Sequence, residues 1–168
     1  TKSKDDEKLI ARYHNMQMAK KIQLNSAYGA LGNQYFRFYN FNHAEAITTS
    51  GQLSIRWIEK KVNAYFNKIC KTQDMDYVIA SDTDSIYLRM GDLVDKFLAG
   101  KSTEDTIKFM DKICEEKFQP YIDKSYKELA DYVHAYAQKM QMKREGLSDK
   151  GVWTAKKRYI LNVYNNEG

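Results

Sequence analysis

The chain has 168 residues, of which 43% are hydrophobic, 13% aromatic and 29% charged, with one Pro and eight Gly. That composition can bury a core of about one domain and excludes long disordered stretches. Lys and Arg outnumber Asp and Glu, 27 against 22, which is compatible with a polyanionic partner without demonstrating one.

The two cysteines, Cys70 and Cys114, make no C-x-x-C pair and no Cys/His cluster at zinc spacing. A reduced compartment fits best, and each thiol reads as a packed small residue. The opening ten residues are charged, so no signal peptide is read there. No run is long and apolar enough to cross a membrane. The chain starts without Met and stops in mid-flow at Gly168. We expect a piece of something longer, and a processed or split-gene product would look the same.

In chain order, residues 4–31 read as one long helix. Leu9, Tyr13, Leu24 and Tyr28 fall at roughly helical spacing, and no breaker comes before Gly29 and Gly32, which end the pattern. Residues 33–42 carry Tyr35, Phe36, Phe38, Tyr39 and Phe41 and read as a packed connector. A second helix is predicted over 43–69. Its apolar stripe is Ile47, Ile58, Val62, Tyr65 and Ile69, opposed by Arg56, Glu59, Lys60 and Lys68. Gly51 weakens that helix slightly or allows close packing.

Tyr77-Val78-Ile79-Ala80 and Ile86-Tyr87-Leu88 suit strands, with the polar turn Ser81-Asp82-Thr83-Asp84-Ser85 between them. This predicts a β-hairpin. Helices follow over 103–118, with Ile107, Met110, Cys114 and Phe118, and over 121–138, with Ile122, Tyr126, Leu129, Val133 and Tyr136. Pro120 separates the two. Residues 141–164 read as short strands. The better one covers 153–163, after a turn at Ser148-Asp149-Lys150-Gly151. The order predicts an α+β fold in which helices cover one face of an antiparallel sheet and the first helix extends off that body.

Three groups of residues carry candidate chemistry. Asp82 and Asp84 stand one residue apart at the hairpin tip. If the backbone there is extended, both carboxylates share a face and repel unless a cation or hydrogen bonds compensate. Oxygen ligands suit Mg2+ or Mn2+. An isolated D-x-D is more often a plain surface turn, but flanking hydrophobic strands weaken that view here. Two-metal chemistry needs further oxygen ligands, and Glu45, Asp92 and Asp95 look like ordinary polar helix positions.

The second group is Lys21, Asn25 and Tyr28, spaced i, i+4, i+7 on one helix face, with Ser26 and Gly29 beside it. An ammonium, an amide and a phenol suit a phosphorylated, base-bearing ligand, and Gly29 leaves room for its approach. From residue types alone, a helix docked through Tyr28 with the polar residues solvated is the commoner case. The third group is Lys150, Lys156, Lys157 and Arg158 with Trp153 and Tyr159. It suits a phosphate backbone as well as a solvated edge strand guarded by lysine. Under strand alternation Lys156 and Arg158 face one way, and Lys157 and Tyr159 the other.

Together these groups resemble family B DNA polymerases. Lys21-Ile22-Gln23-Leu24-Asn25-Ser26-Ala27-Tyr28-Gly29 is similar to their fingers motif, Asp82-Thr83-Asp84-Ser85 to a palm motif, and Lys156-Lys157-Arg158-Tyr159 to a later palm motif. Tyr28-Gly29-Ala30-Leu31-Gly32-Asn33 and His43-Ala44-Glu45-Ala46-Ile47-Thr48 most resemble the T4-like phage type.

The resemblance implies residues 1–32 as a fingers helix segment and 33–168 as a palm segment with a palm-type sheet. It implies a DNA-directed DNA polymerase that carries out template-directed nucleotidyl transfer from dNTP to a primer 3'-OH through two divalent metals, Mg2+ or, in its place, Mn2+. Lys21 and Asn25 would contact the triphosphate, and Tyr28 would pack at the nascent base pair, with Ser26 and Gly29 beside it. Asp84 would be the main metal ligand and Asp82 a less direct one. Lys157 and Tyr159 would hold the primer near its 3' end, with Lys156 and Arg158 beside them as further nucleic-acid-binding residues. Primer-template DNA, the remaining part of the polymerase in cis or as a split subunit, and a sliding clamp bound through a C-terminal region would be partners, in the cytoplasm of an infected bacterial host. The palm motif with the first catalytic Asp and the first fingers helix are not found in this sequence, so we expect a fragment inactive by itself. A non-catalytic nucleic-acid binding module and an assembly module remain the rival readings. A reverse transcriptase would share the paired aspartates but not the motif at 21–29.

Overall fold

The computed structural model describes residues 4–166. The chain divides into two compact units, Thr1–Ser50 and Gly51–Gly168.

The first unit contains α1 (Lys4–Leu31) and the opening turns of α2 (Phe41–Cys70). Asp5, Asp6 and Glu7 place negative charge in the first turn of α1, where the helix dipole favours it. Gly29 lies inside this helix and does not end it; Gly32 and the turn beyond it do. The apolar residues of α1 are not gathered into a buried stripe. Leu9, Tyr13, Leu24 and Tyr28 are all exposed. The connector is likewise more open than its aromatic content suggests, with Tyr35, Phe36, Phe38 and Tyr39 exposed. It is held by backbone turns and by the Asn40 side chain, whose Oδ1 accepts from His43 N at the start of α2.

The second unit holds the core. Along α2 the buried positions are Ser54, Ile58, Val62, Phe66 and Cys70, a repeat of four that places them on one face. Tyr65 and Ile69 flank this stripe, whereas Ile47 is exposed. Nothing lies within 4 Å of a Cβ built on Gly51, so that glycine does not serve close packing. Phe66 meets Tyr77 and Phe118 at ring-centroid distances of 5.3 Å each. Cys70 and Cys114 are both buried.

Two strands, β1 (Val78–Asp82) and β2 (Ser85–Leu88), form the expected antiparallel hairpin. After α3 (Gly91–Leu98), which the sequence reading does not contain, comes α4 (Thr103–Ile113). Ser102 caps α4 by accepting from Asp105 N. Pro120 does not separate two helices here. The helical path runs on through a π turn, Cys114–Phe118, into α5 (Gln119–Tyr132), with Gln119 N donating to Cys114 O. The added residue of the π turn places Pro120 in the first turn of α5, where its missing N–H costs little. Met110, Cys114, Phe118, Ile122, Tyr126 and Leu129 face the core. Trp57 fastens α5 to α2, its Nε1 donating to Ser125 O at 2.9 Å while its ring stacks on Tyr132.

The predicted run to 138 is cut short at Tyr132. His134 takes a left-handed φ of 52°, with His134 N donating to Asp131 O and Ala135 N to Ala130 O. This is a Schellman-type stop without the glycine that would announce it. Val133 and Tyr136 are therefore exposed.

The last elements are β3 (Gly146–Ala155) and β4 (Arg158–Asn166), paired antiparallel. This corrects the sequence reading twice. Residues 148–151 lie inside a strand, and 153–163 is broken by a turn at Lys156 and Lys157, where Lys157 has a φ of 64°. The class is α+β with a long N-terminal helix, as expected. Among the described residues the strands form two separate two-stranded sheets, β1-β2 and β3-β4, in place of one. No helix of the described residues is long and apolar enough to cross a membrane.

Candidate functional site

The β1-β2 hairpin is positioned by polar side chains of α2. Asn63 Oδ1 accepts from Tyr77 N at 2.8 Å, and its Nδ2 donates to Asp76 Oδ1, which also accepts from Val78 N. Asn67 brackets Met75, accepting from its N–H and donating to its carbonyl. The Tyr77 ring is buried in the core, its hydroxyl hydrogen-bonded to Thr72 at 2.8 Å. The strand leading to the tip is thus clamped at its backbone and at its first aromatic residue.

The tip itself is tight. Asp82 pairs with Ser85, leaving Thr83 and Asp84 as the turn. Asp84 N donates to Asp82 O at 2.5 Å, and Thr83 sits at φ 46°, a left-handed conformation that a β-branched residue rarely adopts. The extended backbone assumed in the same-face argument is therefore absent between the two aspartates. Their proximity comes from a turn.

The two carboxylates differ in their surroundings. Asp82 accepts from Thr83 Oγ1 at 3.0 Å and lies 3.8 Å from Lys157 Nζ. Asp84 is exposed, and among the described residues its carboxylate has no hydrogen bond or ion pair. The donor set suits a hard divalent cation in kind, because both groups offer carboxylate oxygen. In number it is short: among the described residues no three His, Cys, Asp or Glu side chains gather where they could hold a metal.

Lys157 brings the second hairpin to the first. It occupies the β3-β4 turn, so the alternation expected through 156–159 does not hold. Asp82, Tyr87, Trp153, Lys156, Lys157 and Tyr159 line a groove of about 280 Å³ between the hairpins. Tyr159 and Trp153 face each other across β3-β4, and Tyr87 of β2 packs against both. Burial, and then the neighbouring Tyr159 hydroxyl, push the Tyr87 phenol up to about 12. Sequence reasoning treats Tyr87 only as a strand residue. A hollow of about 440 Å³ lined by Glu115, Gln119, Asp123 and Arg144 shares no residue with this groove.

Lys21, Asn25, Ser26 and Tyr28 lie on α1, all exposed, and nothing comes within 4 Å of a Cβ built on Gly29. Among the described residues Lys21, Asn25 and Ser26 have no side-chain hydrogen bond or ion pair, so this face is uncommitted within the first unit.

The comparisons with known proteins decide the affiliation. A model of DNA polymerase family B matches residues 1–168. The chain belongs to DNA polymerase family B. This family B chain is 43% identical over 171 residues to the DNA-directed DNA polymerase of Enterobacteria phage T4, covering 96% of the chain and 19% of that protein. It is 42% identical over 162 residues to the DNA-directed DNA polymerase of Escherichia phage RB69, covering 90% of the chain and 18% of that protein. It is also 33% identical over 90 residues to the DNA polymerase alpha catalytic subunit of Trypanosoma brucei brucei, covering 54% of the chain and 6% of that protein. The family B chain thus spans less than a fifth of the two phage polymerases.

Proposed function

We propose that this chain is part of the polymerising core of a DNA-directed DNA polymerase that acts in the cytoplasm of an infected bacterial host, with residues 1–32 as a fingers segment and 33–168 as a palm segment. The observation that carries the reading is the 3.8 Å approach of Lys157 Nζ to Asp82 Oδ1. It joins the acidic hairpin tip to the basic turn that sequence reasoning assigned to the primer strand. Membership of family B supports the same chemistry.

In this reading Asp84 and, less directly, Asp82 would hold Mg2+, or Mn2+ in its place. A bound divalent cation supplies positive charge to the reacting phosphate and its oxygens. Asp84 is suited to the main role because its carboxylate is uncommitted. Lys157 offsets the charge of Asp82 in the free protein and turns to primer phosphate when DNA is bound. Lys156, Arg158 and Tyr159 extend that contact along the primer. Lys21 and Asn25 bind the dNTP triphosphate, with Ser26 beside them. Tyr28 packs at the nascent base pair, and Gly29 leaves the space it needs. The bond formed joins the primer 3' oxygen to the α-phosphorus, and pyrophosphate leaves. The protein's part is position and counter-charge.

Because among the described residues no third carboxylate gathers with Asp82 and Asp84, we expect the chain alone to be inactive and to regain activity with the complementary part of the polymerase. Primer extension with and without that part is the test. Robust extension by the chain alone would sink the fragment reading. The incomplete metal set also favours one rival, a non-catalytic nucleic-acid binding module. It predicts salt-dependent DNA binding with Asp84→Asn silent in the reassembled enzyme.

A further inference from the structure

Among the described residues β1-β2 and β3-β4 are separate sheets, so no ladder hydrogen bond there holds one hairpin against the other. The Lys157–Asp82 pair spans the gap, but its side chains are 64% and 35% exposed, and an ion pair that open fixes little by itself. A ring cluster supplies the rest. Tyr87 meets Trp153 at 5.4 Å and 76°, and Tyr159 at 5.3 Å and 62°, both edge-to-face. Trp153 and Tyr159 lie 6.3 Å apart as a cross-strand pair.

The indole is seated with little freedom. A Cβ built on Gly151 would come within 2.8 Å of Trp153 Cη2 and Cζ3 and 2.7 Å of Leu161 Cδ2, so only glycine leaves the ring its place. Trp153 Nε1 is buried without a hydrogen-bond partner among the described residues. Ring packing, not a polar contact, therefore decides where the indole sits. Tyr87 belongs to the strand that leaves the Asp82–Asp84 turn, and Tyr159 to the strand that leaves the Lys156–Lys157 turn.

We propose that Tyr87 is a positioning residue: held by Trp153 and Tyr159, it sets the acidic tip of one hairpin at a fixed distance from the basic turn of the other. It touches neither primer nor nucleotide and acts through Asp82, Asp84 and Lys157. The functional half of this inference rests on the polymerase reading above.

The test uses the full-length polymerase that carries this segment, with Tyr87→Ala, Tyr87→Phe and Gly151→Ala. Hydrogen exchange reads the joint without activity. Tyr87→Ala is expected to speed exchange by about fivefold or more in both 78–88 and 146–166, leaving 54–70 unchanged. Single-turnover extension is expected to slow about tenfold or more, with the KM for dNTP altered less than about twofold, because misplacement acts on the reacting geometry. Tyr87→Phe keeps the ring contacts and is expected to restore both readouts to within about twofold of the unsubstituted protein. Gly151→Ala reaches the same joint by displacing Trp153, and decides the matter if Tyr87→Ala does not fold.

Faster exchange in 78–88 alone would overturn the coupling. Faster exchange in both hairpins with an unchanged extension rate would overturn the positioning role. If the unsubstituted polymerase extends no primer, the polymerase reading fails, and the exchange data still decide whether Tyr87 joins the hairpins.

Discussion

Lys157 Nζ lies 3.8 Å from Asp82 Oδ1, so two hairpin turns far apart in the chain meet through opposite charges. Both turns contain a left-handed residue, Thr83 at φ 46° and Lys157 at φ 64°. In each, backbone torsion aims the neighbouring side chains. The pair is open to water, so its value lies in placement more than in stability.

That distinction is measurable. Lys157→Met should change unfolding free energy by less than about 1 kcal/mol. In the full-length polymerase it should lower the slope of log affinity for primer-template against log salt by about 1. Denaturant melts and a salt series of binding isotherms check both. A large loss of stability with an unchanged salt slope would make Lys157 a structural residue.

The two aspartates should separate in the reassembled enzyme. Asp84→Asn is expected to lower kcat by roughly 10²–10³-fold, and Asp82→Asn by less, because of the two it is Asp84 whose carboxylate is uncommitted among the described residues. Neither should shift stability by more than about 0.5 kcal/mol, since both lie at a solvent-accessible tip. Equal effects of the two substitutions would contradict the proposed division of roles.

On α1, Lys21→Ala and Asn25→Ala remove side chains with no intramolecular partner among the described residues. Stability should stay within about 0.5 kcal/mol, while the KM for dNTP in the complete polymerase rises about tenfold or more. A pure stability loss with an unaltered KM would return these residues to ordinary helix surface.

Asn67 tests how the acidic hairpin is held. Asn67→Ala deletes its bonds to Met75 N, Met75 O, Thr72 Oγ1 and Asn63 O. A cost of about 1–3 kcal/mol is expected, from backbone groups left without partners. Amide exchange should rise at Met75. No change there would mean that strand pairing alone fixes β1.

Alkaline pH should destabilise the fold. Burial disfavours the phenolate of Tyr77, Tyr87 and Tyr126, raising each above 10.0, with Tyr87 reaching about 12. The folded state therefore keeps protons that the unfolded chain has released. The stabilisation is fully present below pH 10 and is lost as pH rises through the raised folded-state values, about 12 for Tyr87. Unfolding free energy should fall by about 1.4 kcal/mol per pH unit for each proton withheld. Melts between pH 8 and 12, with phenolate absorbance followed alongside, check the sign. Tyrosines that all ionise near pH 10 with no loss of stability would refute it.

Much of this was legible in the residues themselves. The absence of breakers gave α1 nearly to the residue, and the apolar stripe through Ile58 and Val62 marked part of the buried face of α2, although Ile47 of the same stripe is exposed. The strands on either side of Asp82-Thr83-Asp84-Ser85 announced the hairpin, and the three spaced motifs announced the family. These signals are short-range: a period, a turn, a spacing along one segment.

Other features emerged only in three dimensions. The π turn that carries the helix past Pro120, the stop at His134 and the turn at Lys156 and Lys157 each override a local rule, because neighbouring packing outweighs propensity. The approach of Lys157 to Asp82, and the seat of Tyr87 between Trp153 and Tyr159, belong to no segment of the chain. They exist because side chains of the two hairpins pack against one another, and contact between segments so far apart in the chain is a property of packing, which no local pattern encodes.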